Sequence, residues 1–251
     1  MKMNPLGRTG MTVSELCLGT MTFGTQTSEA EGHRQMDAAL AAGINFVDTA
    51  EMYPVNPVRK ETIGRTEEIL GSWHAANPGR RGDYLLATKH SGEGSQARDG
   101  APISSATIRE TLDGSLKRLK ADYVDLYQFH WPNRGSYMFR KNWDYTPTAR
   151  AEAVRQDIAD CLGALQDEVD RGTIRAFGLS NDSAWGTAQW LRLAEEGKGP
   201  RVASIQNEYS LMCRLYDTDL AELSVAEDVG LLAFSPLAAG LLTGKYQNGA
   251  V

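Results

Sequence analysis

Four side chains of this sequence could together move a proton: Asp48, Tyr53, Lys89 and His130. Asp48 stands where the apolar run Ile44-Asn45-Phe46-Val47 stops, and Tyr53 follows five residues later. Lys89 closes the run that begins at Tyr84, and His130 closes the one that begins at Tyr123. A phenol with its pKa of about 10 exchanges protons poorly near neutral pH, but a neighbouring ammonium favours the phenolate and lowers that value. Lys89 is expected to supply the charge, and Asp48 to keep the lysine protonated by pairing with it. His130 would donate a hydrogen bond to a carbonyl oxygen as negative charge develops there. Taken singly, a lysine or a histidine ending a strand is more often structural. Their combination at the ends of different strands points to a proton donor beside an oxyanion site.

The elements that must position these groups are legible as an alternation. Seven strand-like runs are expected at Leu16–Thr20, Ile44–Thr49, Tyr84–Lys89, Tyr123–His130, Ile174–Ser180, Val202–Gln206 and Leu231–Ser235. Helix-like segments starting near Ser28, Thr66, Ser105, Ala151, Ser183 and Asp217 lie between them, several opening on a residue suited to capping. Ile108, Leu112, Leu116 and Leu119 have the three-and-four spacing of a helix face laid on a sheet. Before the first run, Gly7 and Gly10 suggest hairpin turns. Repeated βα units argue a parallel sheet, either closed as a (β/α)8 TIM barrel or open and doubly wound. The number of units and the reactive residues at several strand ends favour the barrel, whose active sites lie at the C-terminal ends of its strands.

No composition break divides the chain, and 251 residues suit one barrel, so a single domain over 1–251 is expected. Acidic residues outnumber basic ones, 32 to 26, which gives nucleic acid and anionic membranes nothing to attract them. Cys17, Cys161 and Cys213 are scattered without the spacing of a zinc site or a disulfide framework, and read as reduced thiols of a cytoplasmic protein. His33, His74, His90 and His130 lack a paired ligand motif, so a metal-dependent barrel hydrolase fits poorly. Met1–Gly10 has no apolar core of the signal-peptide kind, and the most apolar stretch, Val229–Leu242, is broken by Ser235, Pro236 and Gly240.

Several short pieces, taken in order, resemble the aldo/keto reductase superfamily. They are Gly19-Thr20-Met21, Asp48-Thr49-Ala50-Glu51-Met52-Tyr53, Thr88-Lys89, Asp125-Leu126-Tyr127-Gln128-Phe129-His130, Gly178-Leu179-Ser180-Asn181, Gln206-Asn207-Glu208-Tyr209 and Phe234-Ser235-Pro236-Leu237. The resemblance covers nearly the whole chain, and Glu51-Met52-Tyr53-Pro54 with the insertion running to Gly64 resembles the bacterial Tas-like branch. It implies an NADPH-dependent reduction of aldehydes or ketones in which Tyr53 is the general acid, tuned by Asp48 and Lys89, while His130 orients the carbonyl. It further implies that Ser180, Asn181 and Gln206 hold the nicotinamide carboxamide and that Phe234 stacks on the ring. Gly19, Thr20 and Met21 would lie near that ring. Ser235, Leu237 and Gly240 belong to the loop implied to cover the pyrophosphate, with Lys245 as its charge partner. Alone, Phe234 reads as core and Asn181 as a cap or turn residue.

The segment Trp131–Arg150 interleaves aromatic and basic residues. It is expected to form a wall of the substrate pocket with Trp131 at its root. An ordered surface loop and a single-strand nucleic-acid surface are the other readings of that composition. Some proteins of the same barrel serve as cytoplasmic subunits of potassium channels, so a cofactor-binding regulatory subunit with little turnover is the rival of the enzyme. Seven strands leave an eight-stranded barrel one short. The sequence is therefore expected to be a C-terminally incomplete barrel, with NADPH implied by resemblance rather than by residues that read the 2′-phosphate.

Overall fold

In the computed structural model, which describes residues 1–247, the chain opens with an antiparallel hairpin, β1 (Met3–Pro5) and β2 (Thr12–Ser14). There follow β3 (Leu18–Gly19), α1 (Glu29–Ala41), β4 (Phe46–Asp48), α2 (Arg65–Ala76), β5 (Leu85–His90), α3 (Ser105–Leu119), β6 (Val124–Phe129) and α4 (Ala151–Asp170). The remaining elements are β7 (Ile174–Ser180), α5 (Ala184–Glu195), β8 (Val202–Glu208), α6 (Asp219–Glu227), β9 (Gly230–Phe234) and a 3₁₀ turn at Ala238–Thr243. Strands β3 to β9 form one parallel sheet in strict sequence order. A doubly wound sheet would reverse its strand order at a switch point. The order seen here is that of the (β/α)8 barrel, of which the described residues supply seven strands. The last four positions of the expected domain 1–251 lie outside the described residues.

The helices begin where their caps are. Ser28, Ser104 and Ser183 each accept a hydrogen bond from a first-turn backbone N–H, and Ser104 forms a capping box with Thr107. Strand β4 starts later than expected, at Phe46 rather than Ile44, for a local reason. Ile44 gives its N–H to the Ala39 carbonyl at the end of α1, and Asn45 gives its own to Ser14 Oγ, so neither group is free for the ladder.

Two apolar layers flank the sheet. Val47, Tyr127, Phe129 and Phe177 face the helices together with Leu112, Leu165 and Trp190. Phe46, Ala87, Leu126, Ala176 and Ala203 form an inner cluster, and the hairpin contributes Leu6, Met11 and Val13 to it. Gly7, at φ 52°, lies so close to the Ala203 carbonyl that a Cβ would collide with it. The hairpin therefore closes the N-terminal end of the inner face and leaves chemistry to the other end.

Candidate active site

Side chains of a strand alternate between faces with a period of two. Counting up by two from the inner apolar residues Phe46, Ala87 and Leu126 reaches Asp48, Lys89, Gln128 and His130, so these polar groups meet at the C-terminal end of the inner face. Lys89 Nζ donates to Asp48 Oδ2 at 2.6 Å, to the Thr49 carbonyl at 2.8 Å and to the Tyr53 hydroxyl at 3.3 Å. The Tyr53 ring lies edge-on to His130 with centroids 5.6 Å apart. The structure thus brings Asp48, Tyr53, Lys89 and His130 together, all of them buried.

Burial dominates the electrostatics of this group. It raises the Tyr53 pKa, against the lowering by the Lys89 ammonium, which Asp48 in turn partly offsets. The expectation that Lys89 leaves Tyr53 with a lowered pKa is corrected here: the lysine's effect has the expected sign but is smaller than desolvation. Burial also opposes the charge on Lys89, yet the Asp48 carboxylate and Tyr53 outweigh it and raise the lysine pKa, so the ammonium persists. His130 is driven well below the ordinary imidazole value, by burial first and the Lys89 charge second, and is neutral. A neutral imidazole can donate a single hydrogen bond without carrying charge.

The residues implied to hold a cofactor line the ends of β7, β8 and β9. Ser180 Oγ donates to the Gln206 carbonyl at 2.8 Å, and Asn181 Nδ2 donates to the His130 carbonyl at 2.9 Å. What remains is Asn181 Oδ1, buried and without a protein partner. Gln206 Nε2 donates to Asp48 Oδ1 at 3.0 Å, so this amide also joins the carboxylate's hydrogen-bond shell. Phe234 is half-buried at the end of β9. Beyond it, Ser235, Ala238, Ala239 and Gly240 all take positive φ, and the Ala238 and Gly240 N–H groups close onto the Ser235 and Leu237 carbonyls of the same loop. Leu237 is exposed, and a Cβ on Gly240 would sit 2.7 Å from Lys245 Cε, which places that lysine over the loop. Gly19 pairs in register with Asp48, Met21 is exposed beside it, and Thr20 is buried with its hydroxyl donating to the Asp48 carbonyl at 2.8 Å.

Trp131 packs on His130 with centroids 5.1 Å apart and donates to the Glu93 carbonyl at 3.0 Å. The segment that follows it is moored by Arg134, which pairs with Asp182 and lies over Trp185. With Met212, Leu215 and Leu241, its residues Phe139 and Trp143 line a cavity of about 640 Å³, within the size range of small-molecule sites. Sequence reasoning assigned no role to three residues that the structure ties to the cluster. Gln128 donates to Asp48 Oδ1 at 3.1 Å, Glu51 accepts the Ser91 N–H at 2.6 Å, and Arg98 pairs with Glu51. The period-two count from Leu126 would have found Gln128, whereas no local signal marks Arg98. The described residues hold no group of three or more metal-type side chains, and none of their helices is long and apolar enough to cross a membrane.

At the C-terminal end of a parallel barrel sheet, a buried lysine–carboxylate pair beside a tyrosine is a set of groups able to hold and give a proton. Comparison with known proteins gives the family: residues 15–251 match the aldo/keto reductase family model, and the chain belongs to that family. It is 46% identical to protein tas of Escherichia coli strain K12, over 100% of this chain and 72% of that protein, which places it with the Tas-like branch. It is 38% identical to an uncharacterized oxidoreductase, YrpG, of Bacillus subtilis, over 96% of this chain and 68% of the relative. A probable voltage-gated potassium channel subunit beta of Oryza sativa subsp. japonica is 34% identical, over 100% of this chain and 68% of its own length.

Proposed function

We propose that this chain is an NADP(H)-dependent aldo/keto reductase that reduces aldehydes or ketones to alcohols, with Tyr53 as the general acid. The observation that carries the reading is the contact of one fully buried ammonium, Lys89, with both Asp48 and the Tyr53 hydroxyl. A reduced nicotinamide supplies, when bound, the two-electron reducing equivalent for the carbonyl carbon. Asn181 through its unpaired Oδ1 and Phe234 through its ring fit such a cofactor, with Lys245 over the 235–240 loop available to the phosphates. Burial keeps Tyr53 protonated in the resting state, so the proton is present to be given to the carbonyl oxygen. As it leaves, the Lys89 ammonium stabilises the phenolate, and Asp48 keeps that ammonium charged. His130, neutral, donates to the carbonyl oxygen and orients it toward Tyr53.

The channel-subunit relatives support a second reading, a cofactor-binding regulatory subunit with little turnover. A panel of aldehydes and ketones assayed with NADPH and with NADH, alongside cofactor binding by fluorescence quenching, separates the two. Steady turnover is the expected outcome. Tight cofactor binding with no turnover across the panel would favour the regulatory subunit.

A further inference from the structure

Glu51 is buried two residues before Tyr53 and is fastened twice to the end of β5. Its backbone N–H donates to the Lys89 carbonyl at 3.2 Å, and its carboxylate accepts the Ser91 N–H at 2.6 Å. The turn that carries Tyr53 is thereby set against the strand that carries Lys89. The charge brought inside by Glu51 is met by Arg98, whose Nη2 and Nε lie 3.0 and 3.3 Å from the carboxylate oxygens. The same guanidinium donates to the Ser91 carbonyl at 2.7 Å and to the Ala101 carbonyl at 3.1 Å.

Arg98 arrives there from a segment bent for the purpose. Arg98 and Asp99 take φ of 50° and 52°, a region that non-glycine residues seldom occupy and that tends to persist where surrounding contacts enforce it. The contacts on either side of Arg98 reach the same turn. Ala97 is buried in one apolar cluster with Ala50, Met52 and Tyr53, and Asp99 pairs with Lys60 in the insertion that follows Tyr53. Of these three consecutive residues, Ala97 packs with Tyr53, Arg98 pairs with Glu51, and Asp99 adds a surface pair with Lys60. The contact they bear on is the longest of the three made by Lys89, 3.3 Å to the Tyr53 hydroxyl.

We propose that Glu51 and Arg98 are positioning residues, which hold the Tyr53 hydroxyl at the Lys89 ammonium through a brace formed by residues 97–99. The proposal rests on the reading of Tyr53 as the proton donor. A misplacement of about 1 Å in such a donor can cost on the order of 10²-fold in rate. A lysine in place of Arg98 would keep the charge but lose the fork that spans Glu51 and two carbonyls.

The test uses the intact chain with Arg98→Ala, Arg98→Lys and Glu51→Gln, and a protein labelled at the tyrosine ζ-carbon whose Tyr53 resonance is identified by its loss in Tyr53→Phe. In Arg98→Ala we expect kcat to fall about 10- to 100-fold, with carbonyl KM and cofactor affinity within about threefold. The Tyr53 resonance should shift in the cofactor-free protein, added ethylguanidinium should restore part of kcat, and Arg98→Lys should recover less than wild type. An unmoved Tyr53 resonance in folded Arg98→Lys and Glu51→Gln overturns the brace. So does a loss of kcat that only follows thermal stability and that ethylguanidinium leaves unchanged. If wild type turns over no carbonyl, the reductase reading fails by itself, while the resonance still decides whether residues 97–99 fix the hydroxyl.

Discussion

Two buried aspartates at opposite ends of the same sheet show what separates a structural ion cluster from a reactive one. Asp125, near the start of β6, accepts from Arg81 at 2.8 Å, Arg175 at 2.7 Å and the Leu86 N–H at 2.9 Å. Asp48, at the end of β4, accepts from Lys89, Gln128 and Gln206 at 2.6, 3.1 and 3.0 Å. Both carboxylates are fully hydrogen-bonded, so satisfaction alone does not distinguish them. The partners do. Arginine holds its proton under all ordinary conditions, and Arg175 reaches solvent with half its side chain exposed. Lys89 is completely buried and sets its charge beside a titratable phenol. Beside Asp125 a single buried polar atom, Arg81 Nε, lacks a partner, whereas near Asp48 the buried atoms Thr49 Oγ1, Gln128 Oε1, His130 Nδ1 and Asn181 Oδ1 have no protein partner. Unmet hydrogen-bonding capacity is costly in a folded protein, and the four atoms near Asp48 are positioned where a ligand or water would meet it.

The largest effect that bears on this contrast is expected at the reactive end. Tyr53→Phe removes one hydroxyl and should lower carbonyl reduction by about 10²- to 10⁴-fold with little change in cofactor quenching. Lys89→Met should also slow turnover. Because the lysine lowers the Tyr53 pKa, its loss should move the alkaline limb of the reduction profile to higher pH. Activity of Tyr53→Phe within threefold of wild type would remove the distinction between the two ends.

Asp125→Asn should show the reverse pattern. We expect a stability loss of about 1 to 3 kcal/mol, kept modest because Arg175 is half exposed, with kcat within twofold of wild type. Chemical denaturation and initial rates on the same preparation check both halves. A large loss of kcat without unfolding would bring the N-terminal end into the chemistry.

Acid should weaken the C-terminal end through its neutral histidines. Burial pushes the His90 pKa down to about 4, and His130 is lowered as well. Between that value and the unfolded value of about 6.5, the unfolded chain binds more protons than the folded one. The contribution of His90 is therefore complete above pH of about 6.5 and is lost as the pH falls toward 4, amounting to about 2 kcal/mol by pH 5. Denaturation of wild type and His90→Asn at pH 7 and pH 5 should show a flatter dependence in the variant.

The smallest expected change concerns the rim. Phe234→Ala should weaken cofactor binding by roughly 0.5 to 1.5 kcal/mol beyond lost burial, measured as a Kd, and leave carbonyl preference nearly unchanged. The opposite result would place the ring in the substrate wall.

What the sequence determined by itself is the part carried by local pattern. Capping residues at Ser28 and Ser183, apolar runs of strand length and their alternation pointed to the seven parallel strands, because these signals lie within a few residues of what they specify. The order of reactive types along the chain pointed to Asp48, Tyr53, Lys89 and His130 for the same reason, each standing at the end of, or just beyond, a run that could be read locally. Only the tertiary structure decided the balance of charge at Tyr53, since desolvation depends on everything packed around the phenol and overrides the one neighbour that sequence reasoning considered. It likewise assigned Gln206 to Asp48, a contact between residues 158 positions apart. Arg98 stayed hidden because a guanidinium in a glycine-rich loop carries no signal of the buried carboxylate it will meet, 47 residues earlier in the chain, until folding brings the ends of β4 and β5 side by side.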